Sequence, residues 1–523
     1  MDVDRQEPRR RSGCWVVLAV CVALLMALIA GLWAWDAALH RRLDARIAAN
    51  RAKGQPVTFD EFLDRRWQAA PPECSADAIL DALWELESVG SGEGERPGVI
   101  DEFDPPNELG VRWSDERRQM MREHVEARAG ALAMIRRAAA LPVGAYPVDA
   151  SGSPWAIEMR YLPGLRQAAR LSRRAAVLCA ENGDGRAAAE YTADGLVIPR
   201  SVGEWPFESE WLVGVAACWI ALGGLEHSLA LCEVPAESLT TLREALRAIE
   251  GESRLETVLI AARAMGHHSL VEASGSDLAD LLFMEFVDRW DTKEDIVILI
   301  YALAPIWRIK DALFFHRLMD AQIDVCRLPL EERVEGGRRV GSEVETALTE
   351  AGAWRYPLTG RVLPALTMVG EEEAKLIAHL RVARVALAAE QWRMAHGRWP
   401  DSPGQLVPGI LDELPSDPFT GGPLRWARAD AGLTIYSVGL DGADQGGISW
   451  EEAQDFSDCV EQPHDIPFRL LDPERRGARR ATFREEVLAA GLLSLQKLEA
   501  FGFTEERLRG LGFSDDDLHR LSR

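Results

Sequence analysis

Residues 170–201 read RLSRRAAVLCAENGDGRAAAEYTADGLVIPRS. On both sides of Asn182-Gly183, apolar residues recur every three or four positions, the spacing that lines one face of a helix. The Asn-Gly step stops the first helix, because glycine enters the left-handed backbone region without a Cβ penalty. Asp184 starts the second as its N-cap. Ala187, Ala188, Tyr191 and Ala193 take its inner positions, and Pro199, which lacks an amide donor, is expected to end it. The same Ala-, Leu-, Arg- and Glu-rich pattern runs from about Trp113 to Leu348. The fold class that follows is mainly α.

This helix pair resembles one tetratricopeptide-type repeat. No second copy stands at a spacing of about 34 residues, so an ordinary helical hairpin within a bundle is the expectation.

Outward from this region, length and composition set the limits. At 523 residues with 47% hydrophobic content, the chain fills more than one domain and a sizeable core. A net charge of −24 argues against a nucleic-acid partner, whose phosphates need a basic surface.

Cys14 to Trp35 (CWVVLAVCVALLMALIAGLWAW) carries no charge over 22 residues. As a helix rising about 1.5 Å per residue, it spans a hydrocarbon core of about 30 Å. Trp15, Trp33 and Trp35 lie near its ends, where indole rings favour the membrane interface. Arg9, Arg10 and Arg11 precede it, so residues 1–13 are expected in the cytoplasm and the rest across the membrane, although Arg41, Arg42 and Arg46 follow on the far side. A retained anchor in the bacterial inner membrane, touching lipid through residues 14–35, is preferred over a cleaved signal peptide. Two other apolar runs, Trp211 to Leu225 and Ile296 to Trp307, are too short to span comfortably and read as buried core helices.

Thr58 and Glu61 form a capping box before a helix. Ser88 to Pro106 is a loop rich in Gly, Pro and acids, without the preceding strand of a phosphate loop. The cysteines outside the anchor are scattered, with no C-x-x-C pair for zinc. Some can pair outside the cytoplasm, whereas Cys179 and Cys218 read as buried thiols. His267 and His268 are adjacent, do not share a helix face, and read as surface or capping residues. No H-E-x-x-H, G-x-S-x-G or Walker A motif occurs.

The C-terminal part changes character. Glu371, Glu372 and Glu373 are expected to open a helix, where negative charge favours the positive end of the dipole. Leu376, Leu380, Ala383, Leu387 and Met394 form its apolar stripe, and Gly397 its cap. HGRWP, LPSDPFTGGPLRW and TIYSVGLDG follow, with strands over Leu424–Ala427 and Leu433–Val438. This order resembles the C-terminal part of the major pseudopilin of bacterial type II secretion, over residues 371–471. There a helix ends in G-R-[YW]-P, L-P-x-D-P-[FW] starts the sheet, and a strand runs into S-x-G-x-D-G. The same block closes many large bacterial membrane-anchored proteins. The resemblance implies a small pilin-like α+β module. It does not imply assembly into a pilus, because Cys14 to Trp35 contains no Glu and no prepilin-peptidase motif precedes it.

The resemblance further implies calcium in the loop after the strand. Asp441 matches the D-G step and Asp465 the late Asp-Ile step, with Asp444 as an extra candidate ligand. Calcium takes about six to eight oxygens, so carbonyls and water would complete the set. A second reading of DGADQGGISWEE is an EF-hand-like loop, with Asp441 at position 1, Gly446 at 6, Ile448 at 8 and Glu452 at 12. A turn holding no metal is the third.

The expected organisation is therefore a cytoplasmic N-terminus (1–13), an anchor (14–35), an extracytoplasmic helical domain (36–370), the pseudopilin-like module (371–471) and a helical tail (472–523). In the tail, GFTEERLRGL and GFSDDDLHRL are two capped helices. The expected function is a cell-envelope scaffold or a protein that binds another envelope protein. The alternative is an extracytoplasmic hydrolase of envelope glycans or peptides, for which 17 Trp and 83 acidic residues supply stacking surfaces and carboxylates.

Overall fold

The computed structural model describes residues 12–90, 108–150, 152, 154, 157–273, 305–351, 356, 359–429, 431–449, 465–490, 494–500 and 502–522. The chain is mainly helical with a few short strands. In order come α1 (Ser12–Ala52), α2 (Phe59–Ala69), α3 (Ser75–Gly90), β1 (Val111–Arg112), α4 (Asp115–Ala127) and α5 (Ala129–Ala138). Next are α6 (Tyr161–Glu181), α7 (Gly185–Gly195), α8 (Val197–Ser201), α9 (Glu208–Leu231), α10 (Ala236–Gly251) and α11 (Leu255–His267), which ends in a π-turn at His268–Glu272. They are followed by α12 (Pro305–Val325), α13 (Leu330–Ala351), α14 (Thr359–His396), β2 (Arg425–Ala429), β3 (Gly432–Ser437), β4 (Ile466–Leu471) and β5 (Arg479–Arg480). The last four are α15 (Phe483–Ala490), α16 (Leu495–Ala500), α17 (Glu505–Gly510) and α18 (Asp515–Leu521).

α1 is one continuous helix of 41 residues. Its apolar half is exposed throughout its described side chains, with Trp33 79% accessible. Its second half docks through Leu39, Leu43 and Asn50, which are buried. With its apolar, unburied stretch, α1 is long and apolar enough to cross a membrane. α9 passes the same test of length and apolarity but lies largely inside the body, as a core helix should. Most of the Ile296–Trp307 run lies outside the described residues, as does most of the Ser88–Pro106 loop.

The hairpin forms as its residues dictate. α6 ends at Asn182, Gly183 takes φ +79°, and the Asp184 carboxylate accepts the Ala187 amide at 3.0 Å. Pro199, however, does not end α7. That helix stops at Gly195, and Pro199 sits inside the first turn of the short α8, where a missing amide costs no helical hydrogen bond. The Thr58–Glu61 capping box is present.

α14 also begins earlier than its charge pattern implies. It starts at Thr359, whose hydroxyl bonds the buried Asp311 carboxylate, so Glu371–Glu373 fall in mid-helix. Basic side chains, two on α13 and one a turn further along α14, neutralise them instead of the helix dipole: Arg338 pairs with Glu371, Arg333 with Glu373, and Lys375 with Glu372. Gly397, at φ +71°, closes the helix by donating to Arg393 O at 2.7 Å.

β2, β3 and β4 form an antiparallel sheet in that order, with Ile435 opposite both Trp426 and Phe468. Its inner side chains Leu433, Ile435, Phe468 and Leu470 join one apolar core with Leu380 and Leu387 of α14, Leu242 of α10 and Leu225 of α9. The core therefore runs without a break from the helical body into the sheet. The tail folds back on the body: Phe483, Phe503, Phe513 and Leu518 pack with Trp113, Met121, Val177 and Leu231. β5 pairs in parallel with β1, and both capped helices of the tail are present, with Thr504 and Ser514 as N-caps.

The histidine expectation needs correcting. His267 is 3% exposed, and its Nδ1 lies 2.9 Å from Nε2 of the wholly buried His316. His268 faces Glu272, at 3.2 Å. Adjacent residues diverge on a helix, so one ring enters the core while the other meets solvent. All the described cysteines are free thiols, with Cys74, Cys218, Cys232 and Cys326 buried and Cys179 half-buried.

Candidate functional site

The candidate loop starts where β3 runs out at Ser437. Asp417, in the LPSDPF element, anchors its first residue. Its carboxylate is buried, accepts the Phe419 amide at 2.8 Å with one oxygen, and takes the Val438 amide at 3.0 Å with the other. Gly439, Gly442, Gly446 and Gly447 then all take positive φ, between 66° and 84°. Gly447 is the most constrained, since a Cβ there would lie 3.0 Å from Thr434 Cγ2.

The three candidate aspartates have different surroundings. Asp441 is exposed; it accepts the Ala443 amide at 3.0 Å and the Gln445 side-chain amide at 2.8 Å. Asp444 is also exposed; it accepts the Tyr436 hydroxyl at 2.9 Å and the Gly446 amide at 3.0 Å. Arg425 stands 3.5 Å from it. Asp465 is 3% exposed, and its Oδ2 accepts the Gln445 and Gly447 amides at 3.0 and 2.7 Å.

Two oxygens here are buried with no hydrogen-bond partner among the described residues: Asp465 Oδ1 and Gln445 Oε1. A buried carboxylate oxygen without a donor is costly. Burial pushes the Asp465 carboxyl up, against the pull of the Gly447 and Gln445 amides, and Asp444 and Asp441 push it further. Burial and the Asp444 bond likewise push the Tyr436 phenol up to about 12. Gln445 thus joins Asp441, through its side chain, to Asp465, through its main chain, while Asp444 bonds Tyr436 and Gly446. Among the described residues no three His, Cys, Asp or Glu side chains converge as a ready metal cluster.

For the EF-hand-like reading, a strand enters the loop where a helix should. Its Glu452 lies outside the described residues. Reasoning on sequence missed Gln445, Tyr436 and Asp417. The LPSDPF motif contained a signal for Asp417, but nothing in the sequence marked Gln445.

Elsewhere, a cleft between α8, α9, α10 and α14 has an apolar floor including Trp211, Val215 and Leu380, with Glu250, Glu252 and Glu373 around it. Each of these carboxylates is engaged by arginine: Glu250 by Arg381 and Arg384, Glu252 by Arg200 and Arg254, and Glu373 by Arg333. No family model, curated protein or solved structure matches the chain.

Proposed function

We propose that this chain is a single-pass protein of the bacterial inner membrane, with its bulk extracytoplasmic, that serves as a scaffold or binds another envelope protein. The observation that carries this reading is α1. Its described apolar side chains are exposed, and the same helix continues without a break into the core at Leu39 and Leu43. An exposed apolar helix of this length is strongly unfavourable in water and favourable in lipid. The body is thereby tied rigidly to the membrane.

We further read residues 371–471 as a pseudopilin-like module stabilised by calcium. Support comes from the long α14 leading into a three-stranded antiparallel sheet, and from the two buried oxygens without partners. Asp465 Oδ1 and Gln445 Oε1, with the Asp441 and Asp444 carboxylates, are hard oxygen donors suited to calcium. The bound ion would supply positive charge to a buried carboxylate; the module's own side chains hold the loop in place.

The test is fractionation. The full chain should remain in membranes washed with alkaline carbonate. Protease added outside spheroplasts should digest the body and leave a fragment containing α1. Release by carbonate would overturn anchoring. Digestion only after the cells are lysed would overturn the extracytoplasmic placement.

A further inference from the structure

β2 and β4 are the two edges of the three-stranded sheet, and their outward backbone groups are met differently. The register fixes which groups point outward. The Asp472 amide donates to the carbonyl of Ala431, just before β3, at 2.9 Å. Amides and carbonyls alternate in direction along a strand, so the odd-numbered residues of β3 turn theirs to β4 and the even-numbered ones to β2. The hydrogen-bonded pairs between β2 and β3 are therefore Arg425–Tyr436, Ala427–Thr434 and Ala429–Gly432. Trp426 and Arg428 turn their backbone groups away from the sheet. On β4, Pro467, Arg469 and Leu471 do the same.

The β4 edge is closed by the body. Pro467 has no amide, the Arg469 amide donates to Glu226 of α9 at 2.7 Å, and the Leu471 carbonyl accepts the Arg476 guanidinium at 3.0 Å. On β2, no described residue meets the outward amides and carbonyls of Trp426 and Arg428. Arg428 is exposed and Trp426 half-buried, so this edge is open to solvent. Such an edge is a template for a further strand.

Its side chains fit a copy of itself. Two β2 strands laid antiparallel about Ala427 put Ala427 opposite Ala427, Trp426 opposite Arg428 and Arg425 opposite Ala429. Trp426 and Arg428 then form a hydrogen-bonded pair on each side of the two-fold axis, which satisfies every outward group of both residues. Each Arg428 faces an indole and no arginine faces another. Nor does net charge oppose the contact, since Arg425 lies 3.5 Å from Asp444 and Arg428 3.6 Å from Asp472. We propose that β2 is a self-association surface, through which a second copy of this chain extends the sheet. The pairing needs neither lipid nor calcium, so it stands apart from the readings above.

Sedimentation velocity of the full chain in detergent with chelator, over a range of concentrations, tests this. The wild type should dimerise reversibly. Arg428→Pro deletes an outward amide and leaves the β2–β3 ladder intact. It should weaken the dimer about tenfold or more, with the helical signal in circular dichroism unchanged. Ala427→Glu and Ala427→Lys each set like charges against each other across the axis and should be monomeric alone, whereas an equal mixture of the two should dimerise again. A monomeric wild type, which would leave the edge to a strand of another protein, overturns the proposal. So does a dimer that persists undiminished in both Ala427 variants, which would place the contact elsewhere in the chain. Release from membranes by carbonate bears on the anchor alone and is a separate result.

Discussion

Arg66 of α2 and Glu210 of α9 stand 144 residues apart in the chain, yet form two parallel hydrogen bonds of 2.8 and 2.7 Å with both side chains 1% exposed. Arg66 also donates to the Trp205 and Tyr146 carbonyls, and Glu210 accepts the Phe207 amide at the start of α9 and the Tyr161 hydroxyl. One ion pair thus ties four segments of the body together.

Breaking this pair from one side leaves a buried charge alone. Glu210→Gln is expected to cost about 3–5 kcal/mol in denaturant unfolding, and Arg66→Met a similar amount. The double variant Arg66→Met with Glu210→Met should lose less than either single change. A double variant less stable than both singles would show that the pair does not act as a unit.

Calcium should raise the thermal midpoint of the full chain in detergent relative to chelator, by about 3 kcal/mol of linkage at a hundredfold excess over its dissociation constant. Asp465→Asn should remove the calcium-dependent part, and Asp441→Ala should reduce it. Magnesium should substitute poorly, because it demands a tighter octahedral shell. Identical melting of the wild type with calcium and with chelator would eliminate this site. The full chain is the right material, since the module shares its core with α9 and α10.

Acidification should destabilise the body through its buried histidines. Burial, together with Arg51, His268 and Arg263 and against the pull of Glu61, lowers His267 to about 4. His316 is lowered by burial, His267, Arg263 and Arg46, and His379 falls to about 4 through burial and Lys375. The unfolded chain takes up protons below an imidazole value of about 6.5, whereas the native state refuses them until much lower. Stability from these groups is therefore complete above pH about 6.5 and is lost as pH falls towards about 4, by up to about 3 kcal/mol for His267. Urea midpoints at several pH values test this. His267→Asn with His316→Asn should flatten the slope across that window, and an unchanged slope would refute the assignment.

Gly185, the first residue of α7, has no room for a side chain. A Cβ there would sit 2.1 Å from the Glu233 carbonyl oxygen, a backbone atom that moves only with the α9–α10 connection. Gly185→Ala is expected to cost about 2–4 kcal/mol. Gly183→Ala, at φ +79° with open space around it, should cost about 1–2 kcal/mol. Comparable losses from both in urea denaturation would mean that the connection gives way.

The opening stretch shows what local rules reach. Asn182-Gly183 and Asp184 specify a stop and a start that involve only neighbouring backbone groups, and both occur as written. Pro199 was misplaced because a proline is read as a terminator, yet it is equally at home in a first turn; which applies depended on Gly195 ending α7 first. The Glu371–Glu373 run was misread for a related reason. Helix ends attract carboxylates, but so do Arg338, Lys375 and Arg333, two of which lie on a different helix. At the candidate site, the aspartates and glycines were legible as a loop. That Asp465 is buried while Asp441 and Asp444 are exposed, and that Gln445 links the first two, required the loop to be folded against β3.

The sequence by itself determined the apolar span of α1, the mainly helical class, several helix caps and two of the three strands of the small sheet. These follow from periodicity and from hydrogen bonds made within a few residues. Tertiary structure alone decided that the sheet and the body share one core, that the tail covers α4 and α6, that His267 is buried beside His316, and that Asp320 of α12 holds Arg46 and Asn50 of α1. Each of these depends on contacts between residues far apart in the chain, where packing and the cost of burying charge choose the partner and local sequence does not.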